Sequence, residues 1–313
     1  MGFASSKQHS RSPHLSAQEP VPQANQPVPK AKQPANQIQE PASLQAKEAP
    51  TEKNQNTCVS DPSNFNYFHE GDDFSQFYKK KMGKRQSPID IHEMESRPED
   101  HFRLNIEFLD KPITVKCEYV KTTFKVTSSE PFGTVTLRDR HHPHEYIYDS
   151  ISLHYHLPSE HEIEGEHLDA EMHIVFKIRD ETIKFNNKFT VIGVLLKADD
   201  ERAVEGDRKF LTSFHPDQPK SETVINFKEL FTKIMSKDEV FFHYDGSLTT
   251  PPCTENVNWL VVHDAFLVKH EDLQFFKGKW MDDVDFSGGH GNERHVYDMM
   301  GRKLYLVRNS DKE

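Results

Sequence analysis

Beyond residue 110 the chain alternates apolar and polar positions in short runs: ITVKCEYV (113–120), TFKVTS (123–128), TVTLR (134–138), YDSISLHYHL (148–157), EMHIVFKI (171–178), FTVIGVLLK (189–197), EVFFHY (239–244) and NWLVVHD (258–264). Period-two alternation rich in Val, Ile, Thr, Phe and Tyr is the pattern of half-buried strands. Helical spacing is sparse. ETVINFKELFTKIM (222–235) carries it best, with Ser221 placed to cap it. The pattern predicts a mainly β (α+β) domain in which short helices decorate a sheet. Between two of the runs, PSEHEIEGEHLD (158–169) contains Pro158 and Gly165 and predicts a long antiparallel hairpin.

The first 57 residues behave differently. They hold eight of the 19 prolines, nine glutamines and one aromatic, Phe3, without apolar periodicity. Such a segment cannot bury enough apolar surface to offset its conformational entropy, so 1–57 is expected to be a disordered tail and 58–313 the folded domain. The tail carries six Lys+Arg and four Asp+Glu, which leaves the domain with 33 against 46. A domain this acidic argues against nucleic acid as partner, because phosphate binding needs a basic face.

The N-terminus has no apolar stretch of the kind a secretory signal requires. Met1-Gly2-Phe3-Ala4-Ser5-Ser6-Lys7 instead fits the N-myristoylation pattern once Met1 is removed, with Gly2 as the acceptor. One acyl chain binds membranes only marginally, so the expectation is reversible, peripheral association of a cytoplasmic protein. No run approaches the ~18 apolar residues of a membrane span. Three cysteines, Cys58, Cys117 and Cys253, make no disulfide framework and point to a reducing compartment. A Cys58–Cys253 bridge is the alternative if the chain is exported by another route.

The chemistry lies in the histidines. His154 and His156 sit two apart in an alternating run, which puts both on one strand face. His173 follows in EMHIVFKI, where Glu171, His173 and Val175 share a face and Met172, Ile174 and Phe176 take the other. Three imidazoles from paired strands can converge, and three neutral His ligands leave a tetrahedral Zn²⁺ one open position, the catalytic arrangement. His161-Glu162 looks like the start of HExxH, but the fifth position is Gly165, and Glu160-His161 misses the inverted spacing from His156 by one residue. A zinc peptidase is disfavoured.

Around these histidines stand Gln86-Ser87-Pro88-Ile89-Asp90-Ile91, HYHLPSEH (154–161), AEMHIVF (170–176) and GSLTTPPCTENVNW (246–259), then Asn292-Glu293-Arg294 and Gly301-Arg302. In that order and register the chain resembles the α-class carbonic anhydrases, from about Asn66-Tyr67 to its C-terminus. The resemblance implies a large twisted, mostly antiparallel sheet with zinc at the base of a conical cleft. It implies reversible hydration of carbon dioxide to bicarbonate and a proton by zinc-bound hydroxide.

Mapped residue by residue, the resemblance makes His154, His156 and His173 the zinc ligands. Glu171 would hold the third ligand's other ring nitrogen, and Asn292 would supply a carbonyl to another ligand. Ser152 stands where the family usually has Gln, which leaves the tuning of His154 in question. Thr249 matches the threonine that orients the hydroxide, handing its own proton to Glu160, and Thr250 the residue that contacts bicarbonate. Val175, Val191, Leu248, Val257 and Trp259 match the apolar wall that receives carbon dioxide.

One position departs. Aligning Phe124 with the Phe of the family's G-H-x-F pattern puts Thr122 where fast members carry a proton-shuttling His. Threonine does not titrate near neutrality. Tyr67 matches a tyrosine of the family's water network, while Val120 and Lys125 replace polar neighbours. The expectation is an active enzyme limited by proton transfer and rescued by small buffers. His141, His142 and His144 read as a solvated loop rather than a substitute shuttle. The alternative is a non-catalytic carbonic-anhydrase-like binding module, but such members lose a zinc-ligand His, and all three are kept here. Ester hydrolysis would be a side reaction. Oligomeric state is not legible.

Overall fold

The structure is a computed structural model that describes residues 65–77, 82–141, 143–218 and 220–310. The 1–57 segment, Gly2, Cys58 and His142 lie outside the described residues.

A thirteen-stranded sheet organises the domain. It runs from an edge strand, Lys220–Asn226, through Pro112–Val120, Thr123–Ser128, Glu145–His156, Ala170–Ile178, Phe189–Ala198, Val257–Val262, Val240–Gly246 and Tyr305–Arg308 to Arg97–Pro98. Most neighbours are antiparallel; Phe189–Ala198 lies parallel to Val257–Val262. Each of the eight alternating runs is a strand within a few residues of its expected ends.

The central strands are buried on both sides, as near-continuous apolar runs imply. Along Phe189–Ala198, Ile192, Val194 and Leu196 join the larger apolar cluster, whereas Val191 and Leu195 join a second one. Along Val257–Val262, Leu260 and Val262 belong to the larger cluster, and Val257, Trp259 and Val261 to the second. Full burial of a side chain such as Phe176 or Ile174 is worth about 1.5–3 kcal/mol. The sheet is therefore pinned in a register that a one-residue slip would invert.

The expected helix over 222–235 is corrected. Its first half is the edge strand Lys220–Asn226, paired antiparallel with Pro112–Val120 so that Thr223 faces Val115 and Ile225 faces Ile113. Thr223, Val224 and Ile225 are β-branched, and an open strand edge satisfies their backbone better than a helical turn does. Ser221 caps nothing. Only Phe227–Leu230 is helical, capped by the Asn226 side chain, which accepts from Glu229 N at 3.3 Å. The helical spacing survives in what is buried, since Phe227, Phe231 and Ile234 are all fully enclosed. The longest helix among the described residues, His270–Lys279, went unpredicted; it buries Leu273 and Phe276, and Asp272 accepts from Lys269 N at 3.0 Å. No helix among the described residues is long and apolar enough to cross a membrane.

Candidate metal centre

The hairpin expected between residues 158 and 169 brings the histidines together. Glu164 and Gly165 turn it with positive φ of 52° and 82°, the geometry of a tight two-residue connection. Ala170–Ile178 then returns antiparallel to Glu145–His156, with His173 opposite His154 and Glu171 opposite His156. Leu153, Tyr155, Met172 and Ile174 go into the larger core, which turns the alternate positions to the other face. There the rings of His154, His156 and His173 lie with centroids 4.6–5.1 Å apart.

Each ring nitrogen has a separate task. His173 Nε2 is 2.9 Å from Glu171 Oε1, while its Nδ1 faces His154 Nε2 at 3.3 Å. His156 Nδ1 donates to the carbonyl of Asn292 at 2.7 Å, and its Nε2 is buried with no hydrogen-bond partner. One nitrogen of His156 and one of His173 are thus tied outward, and the others converge with a donor atom of His154 within 4.8 Å. Converging imidazole nitrogens, with that of His156 orphaned, fit a divalent cation of zinc type with three protein ligands. Burial pushes His156 down to about 4 and lowers His173. Burial and the neighbouring imidazoles hold half-buried His154 well below the usual range. All three are then neutral at pH 7, the form that binds a metal.

Glu171 is the hub of the support. Its Oε2 accepts from the backbone N–H of Glu160 and of His161, at 3.0 and 2.9 Å, and its Oε1 also meets His161 Nδ1 at 2.7 Å. Burial alone would raise this carboxyl, but the His161 and His173 imidazoles hold it well below the usual carboxylate range. His161 Nε2 continues to the Tyr244 hydroxyl at 2.7 Å, which donates to Ser87 Oγ at 3.0 Å. His161, weighed in the sequence only as a peptidase lookalike, is therefore a buried brace. Periodicity could not reveal it, because it sits in an irregular turn. Asn292 is fully enclosed and also ties Leu157 N, the Tyr155 carbonyl and the Thr122 carbonyl at 2.8–3.1 Å.

Glu160 is completely buried, and its Oε1 accepts from Arg294 N at 3.1 Å. Burial pushes it up to about 7, against the pull of His173 and Thr249. Glu160 Oε2 is enclosed without a hydrogen-bond partner. Thr249 is buried and Thr250 half-buried. Val191, Val257 and Trp259 belong to the second apolar cluster, with Val175 and Leu248 packed against it. In register, Val175 pairs with Val191 and Val191 with Trp259, a row one step along the strands from His173. The Trp259 ring lies 4.8 Å from that of His173.

Ser152 is buried opposite Val175 and Thr127, and among the described residues no hydrogen bond joins it to His154. Thr122 is half-buried in the turn before Thr123–Ser128. The Tyr67 hydroxyl is buried without a hydrogen-bond partner, and burial, then Glu160, pushes it well up. His141 and His144 are exposed, as a solvated loop requires.

Residues 69–308 match the family model of the eukaryotic-type carbonic anhydrases. Alpha carbonic anhydrase 3 of Arabidopsis thaliana is 26% identical over 229 residues, 73% of this chain and 76% of the relative. Putative carbonic anhydrase 3 of Caenorhabditis elegans is 28% identical over 243 residues, 72% of this chain and 92% of the relative. Among solved structures, the α-carbonic anhydrase of Thermovibrio ammonificans in complex with sulfanilamide aligns with a TM-score of 0.55 at 25% identity, covering 72% of this chain and 88% of that one.

Proposed function

Because the chain belongs to the eukaryotic-type carbonic anhydrase family, whose members hydrate carbon dioxide reversibly, we propose that it does so with one Zn²⁺ held by His154, His156 and His173, and that proton transfer limits its turnover. The observation that carries this reading is the convergence of three neutral imidazoles, with His156 Nε2 enclosed and unpartnered. When bound, Zn²⁺ lowers the pKa of a coordinated water to about 7 and so supplies a nucleophile at neutral pH.

The protein's own groups do the rest. Glu171 and the Asn292 carbonyl accept from His173 Nε2 and His156 Nδ1, which fixes the tautomers and leaves Nδ1 and Nε2 as lone-pair donors. Thr249, by handing its hydroxyl proton to Glu160, would keep its oxygen as an acceptor for the reacting water and restrict the direction of attack. Val175, Val191, Leu248, Val257 and Trp259 give carbon dioxide an apolar surface, since it offers no charge to grip. Thr250 contacts the bicarbonate product. Thr122 has no titratable group, so the proton is taken up by soluble buffer. An acyl group on Gly2 would hold this domain reversibly near a membrane surface of the cytoplasm.

Stopped-flow carbon dioxide hydration by the full chain, with zinc content measured, tests the reading. Rapid zinc-dependent hydration that rises with buffer concentration is expected. Absence of hydration at full zinc occupancy would instead make the domain a binding module.

A further inference from the structure

One residue beyond Asn292, a second set of donor atoms comes together. Glu70, His290 and Glu293 each place one carboxylate oxygen or ring nitrogen within 4.8 Å of the others. Glu70 Oε1 and His290 Nδ1 stand 2.8 Å apart on the solvent side, with side chains 38% and 50% exposed. Glu293 closes the group from within. It is only 6% exposed, and its Oε2 is enclosed with no hydrogen-bond partner.

The backbone makes room for this arrangement. Gly288, Gly289 and Gly291 all have positive φ, so the loop folds back on itself around His290. A Cβ on Gly291 would stand 2.7 Å from Glu293 Oε2 and 1.9 Å from the Leu157 carbonyl, so no side chain fits there. The turn before the short 3-10 helix Asp72–Phe77 supplies Glu70, itself at φ 49°. Among the described residues no Lys or Arg is ion-paired with Glu293. An enclosed carboxylate oxygen without a donor is relieved by a proton or by a cation. Burial, with Glu70 and Glu160 adding repulsion, pushes Glu293 up to about 9, so in the absence of a cation it carries a proton at pH 7.

We propose that Glu70, His290 and Glu293 form a second divalent transition-metal site, separate from the three-histidine group and suited to Zn²⁺. One imidazole and two carboxylates are a donor set of the right softness for zinc, and three protein donors leave a position for water. The half-exposed Glu70 and His290 provide the entry path. On binding, the Glu70–His290 hydrogen bond is exchanged for two metal–ligand bonds, the Nδ1 proton of the neutral His290 ring giving way to the Nε2–H tautomer, and Glu293 releases its proton to solvent.

The test is a Zn²⁺ titration of metal-stripped full-length protein against a chromophoric chelator, comparing wild type with Glu293→Gln and His290→Ala. The expected result is one more equivalent in the wild type than in either variant, or at least a tenfold weaker second step in the variants. Because the count is a difference, it is independent of whether His154, His156 and His173 are loaded. Glu293→Gln keeps the side-chain volume and His290→Ala removes an exposed ring, so a folding defect common to both is not expected; circular dichroism checks it. Calorimetry at pH 7 in two buffers of different ionisation enthalpy should show one proton more released by the wild type than by Glu293→Gln. A second equivalent that persists in both variants, or a wild type that binds no more Zn²⁺ than they do, overturns the proposal.

Discussion

Gly193 and Glu171 meet diagonally across paired strands with no space to spare: a Cβ on Gly193 would stand 2.6 Å from Glu171 Oε1. That oxygen is the one shared by His173 Nε2 and His161 Nδ1. Gly193 also lies directly opposite His173 in register. Gly193→Ala should therefore displace the carboxylate and loosen His173 without touching a ligand. Substitutions of such supporting groups cost roughly 10–100-fold in metal affinity. Chelator competition should show a zinc affinity lowered to that extent in Gly193→Ala, and in Glu171→Gln as an independent control. A wild-type affinity in both would mean that Glu171 does not support the centre.

Thr122→His should restore a proton exit. The Thr122 carbonyl accepts from Asn292 Nδ2 at 3.1 Å, and Asn292 holds His156, so the turn is anchored to the candidate centre. Only the side chain changes, and the carbonyl contact is kept. A positioned acid–base group contributes typically ~10²–10⁴-fold. Hydration at low buffer should rise roughly tenfold or more, with the imidazole dependence of the wild type flattened. No gain at low buffer would show that the exit lies elsewhere.

The Met1–Lys7 sequence predicts acylation at Gly2. Co-expression with an N-myristoyltransferase should add one myristoyl group to the wild type and none to Gly2→Ala, read by mass spectrometry. The acylated chain should partition onto anionic vesicles with a constant near the ~10⁴ M⁻¹ of a single acyl chain, and salt should weaken it. An unmodified wild type would remove the membrane reading altogether.

What was legible in the chain follows from what periodicity encodes. His154, His156 and His173 could be placed on one face because strands alternate strictly, and the burial of Leu153, Tyr155, Met172 and Ile174 on the other side bears this out. Helical spacing misled at 222–235, where Val224, Ile225, Phe227, Phe231 and Ile234 satisfy it while Val224 and Ile225 lie in the edge strand Lys220–Asn226 and only Phe227–Leu230 is helical. Edge pairing with Pro112–Val120 is a long-range fact that no local window contains. His161 and Gly193 were missed for the same reason: one acts from a turn, and the other by having no side chain. The carbon dioxide wall was legible only through resemblance, since Val191 and Val257 are indistinguishable from core residues by pattern.

Glu293 should make stability depend on pH in a direction opposite to that of an ordinary salt-bridged acid. Its folded value of about 9 lies above the ~4.3 of an exposed Glu. Between those values the native chain binds more protons than the unfolded one. The contribution is fully present below about pH 4 and is lost as pH rises towards 9. One proton sets a ceiling of ~1.4 kcal/mol per pH unit on the slope. Gln at 293 is neutral throughout, so the gap between Glu293→Gln and wild type should widen in favour of the variant as pH rises. Urea unfolding midpoints in metal-free buffer at several pH values measure this gap. Added Zn²⁺ should then close it from the high-pH end, because a cation that binds only the native chain stabilises it by mass action. A gap that does not vary with pH would mean that Glu293 is already ionised in the fold.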